Sequence, residues 1–391
     1  MPAVSLYFQV HQPFRLRKFS FFEAGTGANY FDEGLNELVM KRAAERCYLP
    51  ANEIILEALK RYGGDFKVAF SITGTALEQM QLYAPKALDS FRKIADTGQA
   101  EFLAETHHHS LSALYSHTEF ARQVQMHRET VRDVLGQCPV SFRNTELLYS
   151  DAIAQQAAEL GFKAILAEGA DSVLGWRSPN AAFAAAGSGI PLLLRNYRLS
   201  DDIGFRFGHA EGPGRPLTAK EFAQRLSTIP ADADTVGIFL DYETFGEHQH
   251  AESTILHFLS ELPKALLSMP SWSFTTPTES AQRSNRRDPL PTPQVTSWAD
   301  AARDASAWNG NSMQQSCLSR LYALENRVLQ LGDAQLLEAW ARLQASDHVY
   351  YISTKAGADG SVHSYFSPFD SPYDAFIAFM NVVRDLEKRL E

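Results

Sequence analysis

The chain is poor in cysteine and has no long apolar run. Its three cysteines, Cys47, Cys138 and Cys317, are far apart and odd in number, which argues against a disulfide framework and against a zinc knuckle. The first residues, MPAVSLYFQVHQP, lack the basic segment of a signal peptide, and no apolar stretch approaches the length of a membrane span. We therefore expect a cytoplasmic protein with no membrane partner.

Positive charge is also scarce. The 36 lysines and arginines stand against 46 aspartates and glutamates, so the formal net charge is −10. Phosphate backbones are bound by clustered basic residues, and we therefore expect no nucleic-acid partner. Apolar residues make up 45% of the chain, as in ordinary globular proteins, and 391 residues are enough for one large barrel with an added subdomain.

Short apolar segments rich in β-branched and aromatic residues alternate with segments of helical period. The segments predicted as strands are 3–10, 66–72, 100–106, 139–145, 162–168, 191–197 and 234–240. A helix predicted over 150–161 begins with a Ser–Asp cap and ends at Gly161. The alternation predicts an α/β fold with parallel strands, either a (β/α) barrel or a doubly wound sheet.

The composition changes over 275–298, which is rich in Pro, Ser, Thr and Arg and has no periodicity. We interpret this segment as a connector. Beyond it the pattern is helical over 313–331, 334–346 and 371–390. We therefore expect a C-terminal α-helical subdomain that packs against the mouth of the barrel.

Nearly every predicted strand ends in ionisable side chains, whereas the strand beginnings carry Gly, Pro, Ala or Lys. The stretch FLDYETFGEHQH at 239–250 passes from apolar residues to Asp241 and Glu243. Another strand leads to Glu146, and the first leads to His11. Because active sites of parallel barrels lie at the carboxyl ends of the strands, these side chains are candidates for one site.

Strand alternation predicts which of these side chains share a face. Asp241 and Glu243 should lie on one face, as should Phe142, Asn144 and Glu146. Two carboxylates that converge above one barrel mouth, one ionised and one protonated, are the equipment of retaining glycoside hydrolysis. The pattern therefore offers Glu146 with either Asp241 or Glu243 as a catalytic pair.

The third predicted strand ends in three consecutive histidines, His107 to His109. Histidine clusters bind zinc, and metal-dependent deacetylation on a similar barrel uses an aspartate with two histidines. No aspartate with matching histidine spacing accompanies this run. We therefore predict no catalytic metal.

These motifs make the chain similar to glycoside hydrolase family 57, and within it to the α-amylase-like group. The resemblance covers essentially the whole chain, in order, and is carried by HQP at 11–13, AEFLAETHHHSL at 100–111, FRNTELLYSD at 142–151, LAEGADSVLGWRSPN at 166–180, LLLRNYRLSDDIGFRF at 192–207, FLDYETFGEHQ at 239–249, SWADAARDASAW at 297–308 and SDHVYYISTK at 346–355. It implies an incomplete seven-stranded (β/α) barrel over 1–285 and a C-terminal helical subdomain over 286–391. It also implies retaining action on α-1,4-linked glucans, without a cofactor.

The resemblance also assigns roles to individual residues. The nucleophile of the family falls on Glu146, and the acid/base falls on Asp241. Positions associated with the substrate cleft fall on His11, Glu101 and His109.

Three further residues are assigned to substrate binding. Glu243 follows the acid/base position, and its alternatives are to act as the acid itself, to orient it or simply to be solvated. Trp298 and Trp308 lie in a motif that the family uses near the cleft, and helix packing is their alternative role.

The chain departs from the family pattern at a few positions. His107 and His108 stand where the group usually has aromatic residues, His250 stands where it has Trp, and Asn309 replaces an apolar residue. These departures leave the catalytic pair intact and concern sugar stacking. The resemblance thus implies an α-glucan hydrolase or a 4-α-glucanotransferase, and the alternative class is a glucan-binding protein with a weak site. No oligomeric state is predicted.

Overall fold

The computed structural model describes residues 2–209, 215–270, 272–283 and 288–391. Residues 284–287 fall within the predicted connector and contain the predicted boundary between 285 and 286, so that boundary lies outside the described residues. Within these ranges, no helix combines the length and the apolarity needed to cross a membrane.

Each predicted strand has an observed counterpart. The strands are β1 (Ala3–Val10), β2 (Val68–Ile72), β3 (Ala100–Phe102), β4 (Ser141–Arg143), β5 (Ala164–Glu168), β6 (Phe183–Ala185), β7 (Pro191–Arg195), β8 (Thr235–Asp241), β9 (Phe245–Gly246), β10 (Gln249–His250), β11 (Ser273–Phe274) and β12 (Asp288–Leu290). β3 and β4 are shorter than predicted: β3 ends at Phe102, beyond which a single bridge continues the pairing, and β4 covers Ser141–Arg143.

Helices occupy the segments between the strands and most of the C-terminal part of the chain. They are α1 (Glu33–Ala43), α2 (Leu49–Tyr62), α3 (Gly74–Tyr83), α4 (Pro85–Ala95), α5 (Ser112–Tyr115), α6 (His117–Leu135), α7 (Asp151–Glu159), α8 (Asp171–Leu174), α9 (Tyr197–Gly204), α10 (Ala219–Leu226), α11 (Ile255–Leu267), α12 (Pro277–Arg283), α13 (Ser306–Asn309), α14 (Ser312–Ala323), α15 (Glu325–Leu331), α16 (Ala334–Leu343), α17 (Ser346–Tyr350), α18 (Gly357–Phe366) and α19 (Pro372–Arg389). The predicted cap of α7 is observed, since the Ser150 side chain accepts a hydrogen bond from the Ile153 amide.

The main strands pair in parallel. β1 pairs with β8 on one side and with β2 on the other, and β2 pairs with β3. β7 connects β8 to β5, which in turn pairs with β4. Ala104, just after β3, bridges in parallel to Phe142 of β4. These pairings confirm the predicted α/β fold with parallel strands and intervening helices.

The apolar side chains of the strands divide between two faces. On one face, residues such as Phe8, Phe70 and Leu240 pack in the core against the helices. The other face carries a smaller cluster formed by Tyr7, Ala69, Leu103, Leu147, Leu166 and Phe239. Strand alternation then directs Gln9 and Asp241, each two residues beyond a member of this cluster, to the same enclosed face at the carboxyl ends of their strands.

The C-terminal helices share a separate core, which includes Trp340 and Phe379. The segment that follows β1 contributes Phe14 and Phe19 to this core, so the two ends of the chain pack together. The amide of Ser346 in α17 donates to the carbonyl of His109 at 2.9 Å. The C-terminal helices are therefore attached at the carboxyl ends of the strands.

Candidate active site

Glu146 is held by a tight turn directly after β4. Thr145–Leu147 form one turn of 3-10 helix, in which Glu146 has φ 56° and Leu147 has φ 50°. This left-handed conformation is uncommon for residues other than glycine and marks local strain. The predicted sharing of a face is wrong here: Phe142 packs on Phe120, away from the turn, because alternation stops where the strand ends at Arg143.

Both carboxylate oxygens of Glu146 accept hydrogen bonds. His109 Nε2 donates to Oε1 at 3.0 Å, and Trp298 Nε1 donates to Oε2 at 2.7 Å. Burial alone would raise the pKa of Glu146, but the hydrogen bond and the charge of His109 lower it below its ordinary value. Glu146 is therefore ionised at neutral pH and fixed in orientation.

His109 carries the charge that keeps Glu146 ionised. Its Nδ1 donates to Glu105 Oε2 at 3.0 Å, so the ring bridges two carboxylates. Burial disfavours the charged ring, yet the hydrogen bonds to Glu105 and Glu146 raise the pKa of His109 to about 9. Burial would raise the pKa of Glu105, but the hydrogen bond from His109 and the charge of Arg143 outweigh this effect and lower the pKa to about 2. Buried charges of alternating sign, on Arg143, Glu105 and His109, thus stabilise the ionised carboxylate of Glu146.

Removing this charge should move the pH range in which Glu146 is ionised. For His109→Gln we expect the acidic limb of the kcat/KM profile to move to higher pH by about 1–3 units, the range that one opposite charge within about 4–6 Å produces. His117→Gln, which removes a solvent-exposed histidine beside Glu159, is the matched control and should leave the limb in place. An unmoved limb in His109→Gln would contradict this account of the Glu146 pKa.

Asp241 is the last residue of β8 and lies beside Gln9 of β1 in the strand register. It is exposed on the cleft side, while its neighbours Leu240 and Tyr242 are buried. Desolvation from the protein side and, after it, the negative charge of Glu146 raise the pKa of Asp241 to about 6. The two carboxyls are thus close enough to influence each other, and their pKa values are shifted in opposite directions.

Glu243 does not continue the alternation of β8. The strand ends at Asp241, and Tyr242–Thr244 form a 3-10 turn, so the predicted sharing of a face is wrong. The buried carboxyl of Glu243 accepts from the Tyr48 hydroxyl and lies 3.5 Å from Gln12 Nε2. Burial raises the pKa of Glu243 to about 8. These contacts suit an orienting group better than a group that touches substrate.

His11 lies beside the charged histidine. Its ring stacks on His109 with 3.9 Å between the ring centroids. His11 Nδ1 is 3.0 Å from Thr73 Oγ1, and Nε2 is 2.8 Å from Asp347 Oδ2. Burial and the charge of His109 lower the pKa of His11, so this second ring is neutral.

Asp347 and Tyr350 are not among the residues that the sequence predicts for the site. Both belong to α17, within the motif SDHVYYISTK. Burial raises the pKa of Tyr350, and among the charges that add to this effect are those of Glu146 and Asp241. Tyr350 is partly exposed. The signal available in the sequence is the presence of an aspartate and two tyrosines in this motif.

Two predicted substrate-binding residues are not part of this cluster. Glu101 is the middle residue of β3 and pairs with Ala69 near the amino end of β2, and its carboxylate accepts from the amide and hydroxyl of Thr278 at 2.9 and 2.6 Å. Trp308 is buried in the core of the C-terminal helices, with its ring 6.0 Å from that of Tyr350. The shared motifs include both residues, but a motif does not tell which end of a strand or which face of a helix a side chain occupies.

Trp298 is brought to the site by a strained loop held by ion pairs. Asp300 and Arg303 have φ 57° and 50°. Arg303 donates to Glu168 at 2.9 Å, and Arg195 donates to the same carboxylate oxygen at 3.0 Å. Loops in such conformations persist where surrounding contacts over-determine them. The network therefore fixes the indole that binds Glu146.

The histidine run does not form a metal site in the described part of the chain, where no group of three or more His, Cys, Asp or Glu side chains is arranged to hold an ion. His107 packs against Gly74 so closely that an added Cβ there would be 2.1 Å from the ring. His109 has both ring nitrogens engaged by carboxylates. The prediction that catalysis needs no metal remains a prediction.

Sequence comparison identifies relatives over most of the chain. Residues 5–293 match the model of a family described as Glycosyl hydrolase family 57. A protein of Methanocaldococcus jannaschii named "Putative alpha-amylase" is 40% identical over 400 residues, which cover 98% of this chain and 84% of that protein.

Solved structures share the fold at low sequence identity. A GH57 branching enzyme from Thermococcus kodakaraensis, solved with glucose, superposes with a TM-score of 0.70 at 15% identity and covers 93% of this chain and 87% of its own. An α-amylase from Thermotoga maritima has a TM-score of 0.62 at 12% identity, and the match covers 100% of this chain and 94% of that enzyme. A 4-α-glucanotransferase from Thermococcus litoralis has a TM-score of 0.69 at 16% identity. The match covers 89% of this chain but only 56% of that enzyme. These likenesses concern the mixed α/β fold with its parallel sheet.

Proposed function

The chain belongs to glycosyl hydrolase family 57, and we propose that it cleaves α-1,4-linked glucans with retention of configuration at the anomeric carbon. Glu146 is the nucleophile and Asp241 the acid/base. One observation carries this proposal: Glu146, held ionised by His109 and Trp298, lies near the Asp241 carboxyl, which pairs in the sheet with Gln9 beside His109 and has a raised pKa. Two carboxyls with pKa values pushed apart are what this reaction requires.

The first step forms a glycosyl ester. A Glu146 oxygen attacks C1, the bond from C1 to the glycosidic oxygen breaks, and Asp241 gives its proton to that oxygen. In the second step Asp241 takes a proton from water, the water oxygen attacks C1, and the ester bond to Glu146 breaks. The positive charge of His109 keeps Glu146 ionised for the first step. It also stabilises the carboxylate that leaves C1 when the ester bond breaks. Retention calls for a carboxyl separation of about 5–5.5 Å.

We also propose a more detailed description of the fold. We take the parallel pairings of β1, β2, β3, β4, β5, β7 and β8, with the bridge from Ala104 to Phe142, as an incomplete seven-stranded (β/α) barrel over 1–285. We take residues 286–391 as a helical subdomain that completes the cleft. The bond from His11 to Asp347 joins the two parts at the strand ends.

The second candidate is 4-α-glucanotransferase activity from the same two residues. It differs only in the second step, where a glucan hydroxyl replaces water. This candidate is supported by the presence of a 4-α-glucanotransferase among the solved structures that share the fold. Incubation with maltoheptaose tests the proposal: shorter products alone mean hydrolysis, longer products mean transfer, and an unchanged chain length would contradict both.

The proton on Asp241 sets the upper limit of the pH profile. Because the acid form is needed and its pKa is about 6, kcat/KM should fall about tenfold per pH unit above that value. The lower limb reports Glu146 and should lie below its ordinary value of 4.5. A profile that stays flat from about pH 5 to 8 would contradict the assignment of Asp241.

Catalysis should not depend on a metal ion. The reaction above uses two carboxyls and a histidinium, so activity should remain within about twofold after dialysis against a chelator. Addition of zinc to the dialysed protein is the control and should not raise the rate. Loss of activity on chelation with recovery on zinc addition would show that a metal participates.

A further inference from the structure

Helix α18 contacts both the loop of Trp298 and the loop that follows Asp241. The Nε2 atom of His363 lies 3.1 Å from Asp300 Oδ2, and its ring stacks on Tyr350 with 3.7 Å between the centroids. Asp300 belongs to the loop of Trp298, the residue that binds Glu146. One side of α18 is therefore attached to the nucleophile side of the cleft.

The carboxyl end of α18 reaches the loop that follows Asp241. The rings of Tyr365 and Phe366 lie 6.0 and 5.5 Å from the ring of His248, which stands between β9 and β10. The two rings contact each other edge to face at 4.9 Å. The end of α18 thus forms part of the rim on the acid/base side.

These two rings are exposed although they have a well-defined arrangement. Tyr365 is 64% exposed and Phe366 is 43% exposed. Isolated exposed apolar side chains need no explanation, but two large rings paired at the rim of a cleft mark a candidate ligand surface. A pyranose ring presents a flat face of C–H groups to an aromatic ring while its hydroxyl groups stay in water.

We propose that Tyr365 and Phe366 form a platform for an α-glucan chain that continues beyond the sugar units held at Glu146 and Asp241. The inference rests on the proposed function and adds a preference for long chains. The occupant is a glucan because the helix that carries the platform contacts both the loop of Trp298, which binds Glu146, and the loop that follows Asp241. Because the two rings belong to α18 and not to the elements that carry the two carboxyls, we expect them to bind sugar units outside those held at Glu146 and Asp241, and so to act on chain length and not on the chemistry.

The test measures binding in the non-hydrolysing Glu146→Gln background by calorimetry. In the double variant Tyr365→Ala, Phe366→Ala, the Kd of maltoheptaose should rise about tenfold, and the Kd of maltotriose should change by less than about twofold. Restoring the ring with Tyr365→Phe should recover most of the affinity relative to Tyr365→Ala. Leu82→Ala, which trims an equally exposed side chain near the end of α3, is the control and should change neither Kd.

Three results would overturn the inference. One is an unchanged maltoheptaose Kd, and the second is an equal loss for both ligands, which would indicate a general effect on the cleft. The third is a change of oligomeric state in the double variant by sedimentation, which would indicate that the rings contact a second copy of the chain. A chain that binds maltoheptaose but never cleaves it would contradict the proposed reaction alone, and the Kd comparison would still decide on the platform.

Discussion

Replacing Glu146 by Gln is expected to reduce the rate of maltooligosaccharide cleavage by about 10⁴-fold or more, equivalent to about 5 kcal/mol of transition-state stabilisation. The amide keeps the shape of the side chain and can still accept from Trp298. It cannot form the glycosyl ester. The Kd of maltoheptaose should therefore stay within about threefold of the original, because little of the ground-state binding involves the attacking oxygen.

A matched control separates chemistry from folding. Glu101→Gln makes the same chemical change in β3, where the side chain accepts from Thr278, and it should leave kcat unaffected. Azide offers a second check on Glu146→Ala. It should attack C1 from the vacated side of an activated aryl glucoside and give a glycosyl azide of inverted configuration. Turnover by Glu146→Gln within about tenfold of the original would contradict the assignment.

Replacing Asp241 by Ala should give a rate loss that depends on the leaving group. A sugar alkoxide needs a proton in order to leave, and removal of the general acid should lower kcat/KM for maltoheptaose by about 10²–10⁴-fold. A nitrophenolate leaves without a proton, so kcat/KM for an activated aryl glucoside should fall far less. Because kcat/KM reports the first irreversible step, the comparison concerns formation of the glycosyl ester.

Glu243→Ala is the control for this prediction. Its carboxyl is held by Tyr48 and Gln12, so its loss should affect both substrate classes to a similar degree by disturbing the turn after Asp241. If Glu243→Ala reproduced the leaving-group dependence and Asp241→Ala did not, the general acid would be Glu243.

The parallel strands could be predicted because their signals are local. β1 and β8 are mostly apolar segments that lead into polar residues, and both are buried at nearly every position, as strands covered on both faces must be. The cap of α7 was also predictable, because a serine directly before a segment of helical period is a preferred helix N-cap. Because parallel strands align their carboxyl ends, Asp241 could be associated with Glu146 from the sequence alone.

The details of the site depend on turns and on long-range contacts that no local pattern encodes. Glu146 is oriented by a left-handed turn and not by strand alternation, so the predicted face was wrong although the residue follows the carboxyl end of β4. Asp347 meets His11 across 336 positions of the chain. Glu101 shows the opposite case, because its motif predicts a position in the cleft while the residue pairs with Ala69 near the amino end of β2 and accepts from Thr278.

The most direct test of the account is to trap the glycosyl ester and find the residue that carries it. A 5-fluoro glycosyl fluoride, which forms the ester quickly and releases it slowly, should inactivate the protein and add one sugar mass to the peptide that contains Glu146. Maltoheptaose should protect the protein from labelling. A label on Asp241 or Glu243, or initial products of inverted anomeric configuration by nuclear magnetic resonance, would contradict the assignment of Glu146 as the nucleophile.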